Sequence, residues 1–292
     1  MGLVVNVLCR NPEDDRVIPR FGRYLRDSLG WPLTARPVQG ADVYYLSGYF
    51  EWSVMRGGLP KGAPVAAYFT HREEEPVGNA KAALYDRLAA KIDLRLATCK
   101  LYAEPLAGYG ATAQMPPPVE RGRFTIPLSR GLSPLVAGFS GYTYGNGRKG
   151  ERLAEKLLDL AWENVIWCAS GRGWPCPTQR YTWAQMPGFY QSLDILVVTA
   201  TVEGVPMPPL EALACGVSVV VPAGVGLLDE LPDVGGIHRY KRGDVGDLVR
   251  AFRQAVKARP EVDREALRAV TRPYSVTAWC EAHRAVFDEV FC

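Results

Sequence analysis

Short apolar runs alternate with longer amphipathic segments along the whole chain. "LVVNVL" (3–8) is too short for a helix and predicts a buried strand. "DRVIPRFGRYLRDSLG" (15–30) follows with helical spacing and ends on Gly30, a residue suited to a left-handed helix stop. "DVYYLS" (42–47), "PVAAYFTH" (64–71), "LRLATC" (94–99) and "ATAQMP" (111–116) predict further strands. Helices are expected over 78–92 and 100–108. The segment 116–134, "PPPVERGRFTIPLSRGLSP", is rich in Pro, Gly and Arg, lacks periodicity and reads as a linker. A second alternation begins beyond it. Strands are expected at 135–141, 165–170, 194–200 and 217–223, and helices at 149–163, near Pro209, at 244–258 and at 275–291.

Strands that alternate with helices imply an α/β protein with parallel sheets covered on both faces. The pattern predicts two Rossmann-like domains, 1–127 and 128–272, with a final helix (273–292) returning to the N-terminal domain. Ligands in such sheets bind beyond the carboxyl ends of the strands. A length of 292 residues suits two domains.

Composition narrows the function classes. The net charge of +3 is weak, and 16 Lys and Arg stand against 13 Asp and Glu before residue 128, with 18 against 18 after it. An acidic partner is permitted but not demanded. No block of like charge marks a nucleic-acid tail. The seven cysteines show no CxxC spacing, which suits reduced thiols and a cytoplasmic location. No apolar stretch approaches the roughly 18–20 residues of a membrane span, and the opening reads neither as a signal peptide nor, with Asn6 at the sixth position, as a myristoylation site. Oligomeric state is not legible.

The most specific stretch is "VEGVPMPPLEALACGVSVVVP" (202–222), with Glu203 and Glu211 eight positions apart around a glycine-containing, proline-stiffened loop. A strand, a loop and a helix N-terminus suit an anion. On its own, Glu211 reads equally well as a helix-capping carboxylate. A second turn, "FSGYTYGNGRKGERLAEKLL" (139–158), puts Arg148 and Lys149 where a helix dipole disfavours cations. Alone it reads as a solvated basic pair, but it fits a diphosphate lying between loop and helix.

The pattern strand, Glu-Gly, loop, Leu-Glu-Ala, Gly, Val-rich strand resembles the donor-binding segment of the retaining GT-B-fold glycosyltransferases that use nucleotide-activated sugars (glycosyl transferases group 1 type). The resemblance is specific from about residue 135 onward. It implies that Glu203 sits by the donor sugar and that Glu211 accepts hydrogen bonds from ribose hydroxyls. The loop amides of Gly204, Val205, Pro206 and Met207 would approach the sugar or diphosphate. Lys149-Gly150 matches the family's diphosphate-binding pair. The family's arginine position is occupied by Tyr142, and Arg148 is the candidate substitute.

His71 ends a strand where the family often places a histidine facing the donor sugar, although a lone histidine is more often an ordinary polar residue. Arg172, Tyr181 and Thr182 are donor candidates in the loop that frames the nucleobase, while Trp174 and Trp183 suit packing at least as well as a role in the site. Glu73 to Glu75 reads as a solvated face. Arg10, Arg16 and Arg20 near the first helix, with Arg23 and Arg26, read most simply as a solvated face. The alternative role is contact with an acidic acceptor, including a hydroxymethylated base in DNA.

The implied function is retaining, metal-independent transfer of a sugar from a nucleotide diphosphate donor, a UDP-sugar being the expected one, to an unidentified acceptor hydroxyl. The sugar nucleotide is a substrate, and neither a cofactor nor a metal is called for. The alternatives are a sugar-nucleotide epimerase of the same fold and a non-catalytic nucleotide-sugar-binding homologue. A phosphorylase would need a pyridoxal-binding lysine that cannot be placed.

Overall fold

A computed structural model describes residues 2–72, 80–128, 134–160 and 162–292. The chain divides into two compact units, Met1–Pro118 with Val276–Cys292, and Val119–Ser275.

In the first unit, β1 (Val5–Leu8) leads into α1 (Val17–Leu29), which Gly30 ends in the left-handed conformation at φ 72°, its N–H donating to Arg26 O. Then come β2 (Leu33–Thr34), β3 (Val43–Leu46), α2 (Trp52–Met55) and β4 (Val65–Phe69). The unit's Rossmann alternation continues through α3 (Ala80–Ala89), β5 (Leu94–Ala97), α4 (Lys100–Ala107) and β6 (Thr112–Gln114). The sheet runs β2-β1-β3-β4-β5-β6, and each pairing is parallel. β1, β3, β4 and β5 are buried at every position. That includes Arg95, whose guanidinium donates to the carbonyls of Ala89, Ile92 and Ala111. A buried cation is tolerated here because backbone oxygens replace its water.

The second unit begins at Val119, inside the segment read as a linker, and from there the described part of that segment is anchored rather than loose. Val119 and Phe124 are fully buried, Val119 N–H donates to Tyr274 O at 2.7 Å, and Phe124 packs edge-on against Trp183 and Tyr190. Residues 129–133 of that segment lie outside the described residues, as do Glu73 to Glu75. Next come β7 (Leu135–Tyr142), α5 (Glu151–Leu158), β8 (Val165–Arg172), β9 (Thr178–Gln179) and α6 (Met186–Ser192). They are followed by β10 (Ile195–Val197), α7 (Met207–Ala214), β11 (Ser218–Ala223) and β12 (Ile237–Lys241). The unit closes with α8 (Val245–Ala258) and α9 (Arg264–Ala269). This sheet is also parallel, in the order β12-β11-β10-β7-β8-β9. Its core joins Trp174, Phe139, Trp167 and Phe252, each ring stacked on the next with centroids 4.9–5.6 Å apart.

α10 (Val276–Phe291) belongs to the first unit. Trp279 lies 5.5 Å from Phe21 on α1, and Phe287 lies 4.9 Å from Trp31 and 5.3 Å from Tyr45. Among the described residues no helix is long and apolar enough to cross a membrane.

Candidate active site

In the second unit the chain passes from β7 outward through β8 to β9, then returns to β10 and proceeds the other way to β12. The segments that leave β7 and β10 therefore diverge, and parallel sheets open a ligand crevice at such a switch. Lys149 lies after β7 and Glu203 after β10. Lys149 Nζ donates to Glu203 Oε1 in a short ion pair. Both side chains are nearly buried, at 12% and 10% exposure. They line a cavity with Ser140, Trp174, Thr199, Pro206, Pro208 and Pro209.

Two close approaches hold this arrangement. The carbonyl of Lys149 accepts from Thr199 Oγ1 at 2.7 Å, and that of Arg148 accepts from Thr201 N–H at 2.9 Å. Gly150 makes this possible: at φ 71°, a Cβ placed on it would lie 2.0 Å from Thr199 O. Only glycine fits both the backbone conformation and the space.

The N-terminus of α7 departs from the sequence expectation. It starts at Met207, two residues before Pro209. Pro206, Pro208 and Pro209 have no N–H, and Met207 N–H donates to Val205 O at 2.8 Å. The amide donors expected of Pro206 and Met207 are therefore lost to a proline wall and an internal turn. The axial dipole remains, and the localised positive charge at the crevice is that of Lys149. Gly204 is buried and Val205 half-buried beside this wall.

Glu211, in the second turn of α7, is 3% exposed. It accepts from the Tyr190 hydroxyl, which burial above all, reinforced by the Glu211 charge, keeps protonated far above its ordinary range. Burial, with the same charge as a lesser cause, pushes the Cys215 thiol up to about 12. Tyr190 also meets Ser140 Oγ at 3.0 Å, and Ser140 meets Ser170 Oγ at 2.7 Å. Sequence reasoning missed these three residues. A tyrosine at a fully buried helical position is the available signal, because its hydroxyl needs a partner.

The other candidates are placed as follows. The Arg148 guanidinium stacks 5.0 Å from the Tyr144 ring, and that of Arg172 lies 5.5 Å from the ring of Tyr142. Arg172 is exposed at the end of β8. Tyr181 packs on Phe189 at 5.2 Å, and Thr182 donates its N–H and its hydroxyl to Gln185 Oε1 just before α6. Trp174 stacks on Phe139 and donates to Gly141 O at 2.8 Å.

His71 stands two residues beyond β4, half-buried, in the first unit. The arginines of the first helix do not form one solvated face. Arg20 is 4% exposed, Arg16 is paired with Asp14, and Arg23 donates to the carbonyls of Pro12 and Asp14. Arg10 is exposed and lies 3.8 Å from Glu51.

Residues 178–269, the stretch with both glutamates, match the family model of glycosyl transferases group 1. Over 99% of both chains the structure resembles sucrose-phosphate synthase from Thermosynechococcus elongatus, with a TM-score of 0.81 at 12% identity. The fold is GT-B.

Anabaena HepE in complex with UDP-glucose shares this GT-B fold over 99% of this chain and 100% of that one, with a TM-score of 0.75 at 11% identity. A glycosyltransferase from Rickettsia africae does so over 99% and 98%, at 0.70 and 9%. No curated protein matches in sequence. The resemblance to group 1 glycosyltransferases thus holds in the segment match and in the fold.

Proposed function

We propose that this GT-B protein transfers a glycosyl unit from a nucleoside diphosphate sugar, with uridine as the base, to an acceptor hydroxyl, retaining the anomeric configuration and using no metal. The observation that carries the reading is the Lys149–Glu203 pair at the β7/β10 switch, inside a crevice joined to a group 1 segment. The uridine assignment draws on HepE, which binds UDP-glucose.

The roles follow from charge. Breaking the C1–phosphate bond collects negative charge on the leaving diphosphate, and a preorganised cation lowers that barrier. Lys149 is assigned this role, with Arg148 or Arg172 as the second cation. Glu203, released from Lys149, is suited to accept hydrogen bonds from the sugar hydroxyls. Glu211 grips the ribose, since a carboxylate accepts from two vicinal hydroxyls. His71 is assigned to the sugar on the resemblance alone.

The test is a thermal-shift panel of nucleoside diphosphates and their sugars, followed by transfer assays with chelator present. Ligand binding to the folded state must raise apparent stability. UDP and a UDP-sugar are expected to stabilise the protein, and Glu211→Ala to abolish the shift. NMR of the product should show the donor's anomeric configuration. Silence across the panel would remove the reading.

A further inference from the structure

The four groups Ser170, Ser140, Tyr190 and Glu211 form one chain of contacts whose direction is fixed. Tyr190 has a single hydroxyl proton, and it goes to Glu211, a carboxylate that accepts only. Ser140, at 3.0 Å, must then donate to the Tyr190 oxygen, and Ser170, at 2.7 Å, must donate to Ser140. Tyr190 is fully buried, while Ser170 and Glu211 are 3% exposed. Ser140 also lines the cavity that holds Lys149 and Glu203, so the chain runs from that cavity to Glu211.

We propose that Tyr190, oriented by Ser140, is a positioning residue that holds the Glu211 carboxylate to the ribose hydroxyls and so sets the preference for ribonucleotide over deoxyribonucleotide donors. This rests on the assignment of Glu211 to the ribose. The physical reason is rotamer selection. A carboxylate fixed by a directed donor presents its remaining lone pairs along one line, whereas a free one divides them among orientations. Fixed acceptors reject a ligand that lacks the matching hydroxyl, because the buried acceptor is then left unpaired.

The experiment compares UDP with 2′-deoxy-UDP on wild type, Tyr190→Phe and Ser140→Ala. Wild type is expected to bind UDP at least about tenfold more tightly, the scale of one charged hydrogen bond. In Tyr190→Phe the UDP affinity should fall toward that of 2′-deoxy-UDP while the latter stays unchanged, so that the ratio collapses. Ser140→Ala should reduce the ratio by about threefold, the loss of one neutral hydrogen bond. A purely structural role would weaken both nucleotides together and leave the ratio intact. An intact ratio in a folded Tyr190→Phe, or in Ser140→Ala should the first variant not fold, overturns the inference while leaving the ribose site standing. A wild type that binds UDP without discrimination overturns the ribose assignment, and this inference with it.

Discussion

Lys149 and Glu203 satisfy each other in a nearly dry crevice, and this has an energetic consequence. Removing one partner of such a buried pair strands the other's charge, which costs about 3–5 kcal/mol. Lys149→Met should therefore lower stability by roughly that amount in urea unfolding, and adding Glu203→Gln should restore most of it. The same pair makes Glu203 a competitor of the diphosphate for Lys149. Glu203→Gln is thus expected to bind UDP several-fold more tightly in calorimetry while losing transfer activity. Tighter product binding with weaker turnover separates competition from simple damage. Both partners were legible because Lys149-Gly150 and the eight-position spacing of the glutamates are local patterns. Ser140 and Tyr190 were not, since they are 50 residues apart and meet only once the sheet has formed. Arg20 misled for a related reason: helical spacing places it beside Arg16 and Arg23, and nothing local says that its position is buried.

At the scale of elements, the turn between β7 and α5 depends on Gly150, whose neighbour Gly145 supplies a control. Both have positive φ, 71° and 69°, but a Cβ on Gly145 would meet nothing within 4 Å. Gly145→Ala should cost about 1–2 kcal/mol, the penalty of the left-handed region. Gly150→Ala should cost well over that, because the Thr199 carbonyl has to move, and Lys149 would move with it. Equal losses for the two in denaturant unfolding would contradict this account. The buried parallel strands were readable because a strand covered on both faces is nearly all apolar. The two-residue strands β2 and β9 carry too few positions for any period. α7 started earlier than its prolines suggested, since proline is accommodated throughout the first helical turn.

For the whole molecule, α10 ties a late stretch of sequence into the first unit, and its buried His283 gives that tie a pH signature. The Trp279 carbonyl, 2.9 Å away, only accepts, so Nδ1 carries the proton and Nε2 accepts from the Tyr45 hydroxyl at 3.2 Å. Among the described residues no charged side chain hydrogen-bonds the ring. Burial drives the imidazole from an ordinary 6.5 to about 3, with the Trp279 carbonyl as the lesser, opposing cause. Above pH 6.5 neither folded nor unfolded chain holds the extra proton, and stability is full. Between 6.5 and about 3 the unfolded chain takes up a proton that the folded chain refuses. Stability therefore falls as pH drops, by up to about 1.4 kcal/mol per pH unit. In His283→Gln, chemical denaturation at pH 6.5 and 4.5 should show a loss smaller by roughly 2–3 kcal/mol than in wild type. An unchanged loss would mean that other groups dominate acid unfolding.

The split of the first unit into residues 1–118 and 276–292 also bears on how the protein is made. Synthesis proceeds from the N-terminus, so the face formed by Phe21, Trp31 and Tyr45 exists before the helix that covers it. The contiguous unit 119–275 can close as soon as it emerges, whereas the first must wait, with an aromatic surface open, until that entire unit has been translated. Birth order and completion order are therefore reversed, and the interval between them is when this chain most needs a chaperone.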